Sequence, residues 1–326
     1  MEFIRKKKDY SKYNEHLLFA IDLELILTQK CNLACEHCMR GACSNKEISE
    51  EVLDATFSKF AYIDNLALGG GEIALAPHTI RKVTAALKKH NTTIHHCNFT
   101  SNGTVVNQET LDALKELQDY IVSCEDQPHL FTSPPEQKDV PMFVCFSFDD
   151  YHLKEMIRRN FTLEQLFDNI AKYQQVFGTE AIECRAECDM DIYDEGRAKY
   201  ITKNVRKAPI QILTGAKYPF INLKDQALLM GNIICISCDG EVIPTNISFA
   251  NESIYSFGNI TTDSNATLLA NMNAYETNDN GYNKAREKLW KAMTAPVKVQ
   301  KKYHTLLSYK TKMFMERLEA SIQKQQ

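Results

Sequence analysis

Between residue 20 and about residue 215, short β-rich runs alternate with stretches of helical periodicity, a rhythm that leaves few architectures open. The strand candidates are Leu23–Leu27, Leu66–Leu68, Ile94–Phe99, Phe143–Phe148, Ala181–Ala186 and Ile210–Leu213. Between them lie helical signals. Leu53, Phe57 and Phe60 recur behind Ser49, Ile80, Val83 and Leu87 follow Pro77, and Leu111, Leu114 and Leu117 form a third stripe. A fourth helix opens with Thr162 and Gln165 in capping-box positions, carries Leu166, Ile170, Tyr173 and Phe177 on one side, and stops at Gly178. Six βα units of this kind predict an α/β fold, a partial (β/α)6 barrel of the TIM type.

The rhythm sets the expected domain organisation. Residues 1–19 are an N-terminal extension, 20–215 the barrel core, 216–282 a smaller hairpin region and 283–326 a basic helical tail. The proline-rich segment 125–141 reads as a loop inserted before the fourth strand, placed to cover the active face. LMGNIICISCDGEVIPTNISF reads as two β-runs joined by a turn at Asp239-Gly240, a β-hairpin. Residues 284–326 carry eleven Lys or Arg against three Glu. A stripe at Leu307, Phe314 and Leu318 predicts an amphipathic helix docked on the core, with its charges solvated.

Composition matters mainly through cysteine. Eleven in 326 residues is an odd count in a long chain, and several stand at metal-ligand spacings, so reduced thiols and metal chemistry fit better than disulfides. No run of 18 or more apolar residues occurs, and the N-terminal apolar stretch is interrupted by charges. The expectation is a cytoplasmic protein without a membrane span.

Directly after the first strand comes Cys31-Asn-Leu-Ala-Cys35-Glu-His-Cys38. Three thiolates at this spacing can ligate three irons of a [4Fe-4S] cube and leave the fourth iron open to a small molecule. Spacing alone also allows a structural zinc site completed by His37 or Cys43.

This C-x3-C-x2-C run at the end of the first strand resembles the signature of radical S-adenosylmethionine (radical SAM) enzymes. Other motifs follow in the family's order over about residues 20–215. Gly69-Gly70-Gly71-Glu72 resembles the Gly-Gly-Glu element that approaches the amino group of the bound methionine. Thr100-Ser101-Asn102-Gly103 resembles the Thr-Asn-Gly turn, and Ser147-Phe-Asp149-Asp150-Tyr-His152 the Ser-x-Asp segment near the ribose and carboxylate. The resemblance implies a [4Fe-4S] cluster on Cys31, Cys35 and Cys38, and S-adenosyl-L-methionine held by Gly70, Gly71, Glu72, Ser101, Asn102, Ser147 and Asp149. It implies His37 packed near adenine and Glu72 accepting from the methionine ammonium. It further implies an external one-electron donor and reductive cleavage to a 5′-deoxyadenosyl radical that abstracts hydrogen from a substrate.

Cys235-x2-Cys238-Asp-Gly240, then Pro244-Thr245 and Phe257-Gly-Asn-Ile260, resembles in part the hairpin of SPASM or twitch domains in radical peptide-modifying enzymes. Thr245 stands where those domains place a cluster-ligating cysteine, and no cysteine lies about ten residues before Gly240. Cys184, Cys188, Cys235 and Cys238 therefore read either as ordinary buried thiols or as ligands of an atypical second metal site. Cys184 and Cys188 lie about 13 Å apart along a strand, too far for one small site unless the strand ends between them. Cys235 and Cys238 are also candidate hydrogen-atom donors to a substrate radical, as in the family's peptide epimerases. The expected substrate is a peptide. Modification of a nucleotide or tRNA through the basic tail is the rival reading, and a zinc-clipped binding protein the non-enzymatic one.

Overall fold

The computed structural model describes residues 2–3, 17–124, 140–185, 192–202, 207–208, 221–223, 227–230 and 234–274. Its elements run β1 (Glu2–Phe3), β2 (Leu17–Thr28), α1 (Glu50–Lys59), β3 (Phe60–Gly70), α2 (Pro77–His90), β4 (Thr93–Ser101), α3 (Gln108–Val122), β5 (Met142–Ser147), α4 (Asp150–Arg158), α5 (Leu163–Phe177) and β6 (Ile182–Arg185). There follow β7 (Ile192–Tyr193), β8 (Lys207–Ala208), β9 (Ile221–Leu223), β10 (Ala227–Met230), β11 (Ile234–Ile236), β12 (Val242–Pro244) and α6 (Asn265–Ala274).

Local chemistry accounts for the helix boundaries. The Ser49 hydroxyl accepts from Val52 N at 3.2 Å to cap α1, and Phe60, expected in the helix, is instead the first residue of β3. Pro77 opens α2, which ends at Asn91 in a left-handed turn, φ 52°. Asn107 caps α3, and Thr162 and Gln165 cap each other's backbone N–H groups at the start of α5, which stops at Gly178.

Strands β2, β3, β4, β5 and β6 pair in chain order, every pair parallel, which is the sheet of a partial (β/α) barrel. The sixth strand candidate, Ile210–Leu213, lies outside the described residues, as do most of the 125–141 loop, Cys188 and the whole 283–326 tail.

One face of this sheet, with Leu23, Leu25, Leu27, Leu66, Leu68, Phe99, Val144 and Phe146, packs into a single apolar core with Leu53, Phe57, Ile80, Val83, Leu114, Leu117 and Tyr173 of the helices. Alternation sends the intervening residues to the other face. There Asn65 Nδ2 donates to Asp22 at 2.8 Å and Asn98 Nδ2 donates to Asn65 at 2.7 Å, a polar ladder across three strands.

The predicted hairpin forms, with Ile234, Cys235 and Ile236 opposite Pro244, Ile243 and Val242 and a turn at Gly240, φ 84°. Rather than standing apart, β11 pairs in parallel with β2, Cys235 beside Glu24, and so extends the barrel sheet at its first edge. The first strand of the barrel is thereby flanked on both sides where the cysteine loop leaves it.

Candidate active site

All four motifs leave the C-terminal ends of neighbouring parallel strands, the end at which loops of a (β/α) barrel converge. The cysteine loop folds through tight turns, Cys38 N donating to Cys35 O at 3.2 Å and Gly41 N to Cys38 O at 3.3 Å. Cys35 is buried, Cys31 and Cys38 half-buried, and none of the three is in a disulfide. Burial pushes the thiols of Cys31 and Cys35 up to about 12, so both keep their protons until a cation replaces them.

The glycine turn lies directly against this loop. Gly71 N donates to Thr28 O at 2.8 Å and Glu72 N to Lys30 O at 2.7 Å. A Cβ on Gly70, at φ +125°, would stand 2.1 Å from Thr28 O, and one on Gly71 would stand 2.0 Å from Lys30 O. Only glycine permits that approach.

Glu72 is 1% exposed, with both carboxylate oxygens engaged. Oε1 accepts from Ser101 Oγ at 2.9 Å and Ala74 N at 3.2 Å, and Oε2 accepts from Asn102 N at 2.8 Å. Burial pushes its carboxyl up against these donors, which favour the anion. Glu72 thus ties the turn after β3 to the turn after β4. Asn102 continues the chain of contacts, its Nδ2 donating to Asn32 at 3.0 Å and lying 3.9 Å from Cys31 Sγ.

The turn after β5 builds a second cluster. Asp149 caps α4, its Oδ1 accepting from Tyr151 N at 3.0 Å and His152 N at 3.1 Å, while Oδ2 faces His152 Nδ1 at 2.6 Å and His37 Nε2 at 3.5 Å. Burial would raise this carboxyl, but hydrogen bonds and positive charge from His152 and His37 outweigh it and hold the group well below the usual carboxylate range. His37 stacks on Tyr151 with centroids 4.6 Å apart and planes at 15°. The donor atoms of His37, Asp149 and His152 lie within 4.8 Å of one another. They sit at a helix N-terminus, where the dipole disfavours a cation, so the arrangement reads as a hydrogen-bonded brace. Ser147 ends β5, half-buried, beside Arg185.

Cys235 and Cys238 are buried in a small cluster with Ile26, Ile243 and Ile247, Cys235 beside Glu24 on β2. Burial pushes the Cys238 thiol up to about 12, and its Sγ donates to Ile26 O at 3.1 Å. Cys184 is exposed on β6, at the opposite edge of the sheet from β11. Thr245 donates to Glu24 Oε2 at 2.8 Å, tying the hairpin to β2.

Several contributors carry no sequence motif. Glu155 on α4 accepts from Ala34 N at 3.1 Å inside the cysteine loop, and its carboxyl is pushed down to about 2 by hydrogen bonds from Arg158 and Arg159. Arg40 is buried, paired with Glu24 and donating to Ile247 O at 2.9 Å. Arg197 holds the cysteine loop from outside. Nothing in the local sequence marks any of these three.

Residues 25–124 match the model of the Radical SAM superfamily, a span that contains the three cysteines, the Gly-Gly-Gly-Glu turn and the Ser-Asn-Gly turn. Over that span the chain is similar to the radical SAM superfamily. Three solved structures are similar to it. They are native anSMEcpe with bound AdoMet and Cp18Cys peptide (14% identity, 78% of this chain and 81% of that chain, TM-score 0.46), Streptococcus suis SuiB bound to S-adenosylmethionine (13%, 83% and 72%, 0.39), and SuiB bound to precursor peptide SuiA (11%, 82% and 70%, 0.36). No curated protein matches the chain.

The residues present fit the cofactors of this superfamily, a [4Fe-4S] cluster and S-adenosylmethionine. Three free thiols share one short loop, an amide N–H faces one of the sulfurs, and the adjoining glycines let the turn after β3 pack directly against the backbone of that loop. Among the described residues no helix is long and apolar enough to cross a membrane.

Proposed function

We propose that Cys31, Cys35 and Cys38 hold the cluster, that the turns after β3, β4 and β5 hold S-adenosylmethionine, and that the substrate is a peptide. A cluster held by these thiols would supply one-electron reduction, and S-adenosylmethionine held by these turns would supply hydrogen-atom abstraction from the substrate.

The rest is done by the chain. Gly70 and Gly71 let the methionine end approach backbone, with Ser101, Asn102 and Ser147 as nearby polar groups. Glu72 fixes both turns from below. His37, flat against Tyr151, offers an aromatic wall to the adenine, and Asp149 fixes that ring in place. The observation that supports this reading is the continuous set of contacts from Cys31 through Asn102 and Glu72 to the glycine turn, which joins the loops after β2, β3 and β4 at one edge of the sheet.

The peptide reading rests on the open face of the sheet. Asp22, Asn65 and Asn98 present half-buried carboxylate and carboxamide groups there, suited to the alternating donors and acceptors of a peptide backbone. Thr245, standing where the peptide-modifying relatives carry a cluster ligand, supports a one-cluster version of such an enzyme, with Cys235 and Cys238 kept as buried thiols. The test is the rate of 5′-deoxyadenosine formation under anaerobic conditions with dithionite. A pool of short peptides should raise it and total tRNA should not; stimulation by tRNA alone would overturn the peptide assignment.

A further inference from the structure

The loop that carries the three cysteines is gripped by a segment that no motif marks. After β7 the chain runs Asp194-Glu195-Gly196-Arg197. Arg197 Nε donates to Cys35 O at 2.8 Å, its Nη1 donates to Gly41 O, and its backbone N–H donates to Cys38 O at 2.9 Å. One residue therefore satisfies three carbonyls of the loop, two of them on the proposed cluster ligands.

Gly196 makes the grip possible. At φ +56° it lies so close that a Cβ would stand 2.3 Å from Met39 O and 2.6 Å from Cys38 O. Glu195 anchors the segment on the other side. It is 5% exposed and accepts from Ser248 N at 3.2 Å and from Asn251 Nδ2 at 2.9 and 3.0 Å, both in the loop after β12. The same loop reaches the cysteine loop directly, Phe249 N donating to Arg40 O at 3.0 Å.

We propose that Glu195, Gly196 and Arg197 form a clamp that sets the conformation of the cluster loop, with Arg197 a positioning residue for the cluster. The proposal rests on the reading of Cys31, Cys35 and Cys38 as its ligands. Groups that hydrogen-bond around metal ligands orient them and slow the loss of the metal. Arg197 adds a permanent charge, because a guanidinium keeps its proton at all working pH values. Reduction of the cluster adds one negative charge, which a fixed cation beside the Cys35 backbone favours. Arg197 therefore raises the reduction potential of the cluster as well as holding its loop.

The test uses the full-length, anaerobically reconstituted protein and three readouts: iron per chain, rate of iron loss to a chelator, and midpoint potential by EPR-monitored titration. Arg197→Gln should lose iron about ten to a hundred times faster than the parent and show a more negative potential. Arg197→Lys should keep the parent's potential but lose iron faster, because a compact ammonium on a flexible stem does not reproduce the planar, pre-organised fork of a guanidinium. Parent-like iron loss and potential in Arg197→Gln would overturn the clamp. If Arg197→Gln holds no iron, an iron-free melting curve matching the parent's supports the clamp, and an altered curve passes the decision to Arg197→Lys, where parent-like iron loss overturns it. A parent protein that takes up no iron would instead bring down the reading of the three thiols, and the clamp with it.

Discussion

Glu72→Ala tests the tie between the turns after β3 and β4. The substitution removes the acceptor of two buried backbone N–H groups, Ala74 N and Asn102 N, and of the Ser101 hydroxyl. Each orphaned N–H costs about 1–3 kcal/mol. The hydroxyl can turn elsewhere, and removal of a desolvated carboxylate returns part of the loss, so the net local cost is about 2–4 kcal/mol. Since 1.4 kcal/mol is about tenfold in an equilibrium, amide protection around residues 72–76 and 100–104 should fall on the order of a hundredfold. Hydrogen exchange read by mass spectrometry on the iron-free protein measures this directly. The helices α2 and α3, which do not touch the carboxylate, should keep their protection. Unchanged exchange in both turns would refute the role assigned to Glu72, and a uniform loss across the sheet would show that it supports the whole fold instead.

Three further outcomes follow from particular contacts. Gly71→Ala drives a Cβ to 2.0 Å from Lys30 O beside Cys31, so it should weaken S-adenosylmethionine binding by about five- to a hundredfold by equilibrium dialysis, since the strain costs on the order of 1–3 kcal/mol. Glu252, 4% exposed with Oε1 lacking a partner among the described residues, has its carboxyl pushed up to about 7, first by burial. A raised carboxyl favours the folded state below its unfolded value of about 4.3 and loses that contribution as pH rises through about 7. Melting temperature should therefore drop over that window in the parent and drop less in Glu252→Gln, most visibly by pH 8. Thr162→Ala removes the α5 capping box and should cost about 1 kcal/mol, with a melting temperature lowered by a few degrees at most and cluster content unchanged.

The parallel sheet was legible in the sequence because buried parallel strands are short apolar runs and their helices carry strong stripes, as in Ile80, Val83 and Leu87 of α2. The cysteine loop and its companion turns were legible because each motif sits in chain order at a strand end. What the sequence concealed is contact between distant segments. Nothing local marks Arg197 as a partner of the Cys35 carbonyl, or Glu155 as a partner of Ala34 N. Nor does anything local mark Glu72 as the tie between two turns, since its three donors come from Ala74, Ser101 and Asn102. The hairpin turn was readable from Asp239-Gly240, but its parallel pairing with β2 was not, because pairing partners are set by the whole sheet.

The central claim is that three thiols on one loop hold the cluster that reacts with S-adenosylmethionine. The most direct measurement is anaerobic reconstitution with iron and sulfide, a count of bound metal, and assay of 5′-deoxyadenosine after addition of S-adenosylmethionine and dithionite. About four irons per chain with 5′-deoxyadenosine formed, both lost in Cys35→Ala, is the result predicted. Zinc in place of iron, or product formation that survives Cys35→Ala, would contradict it.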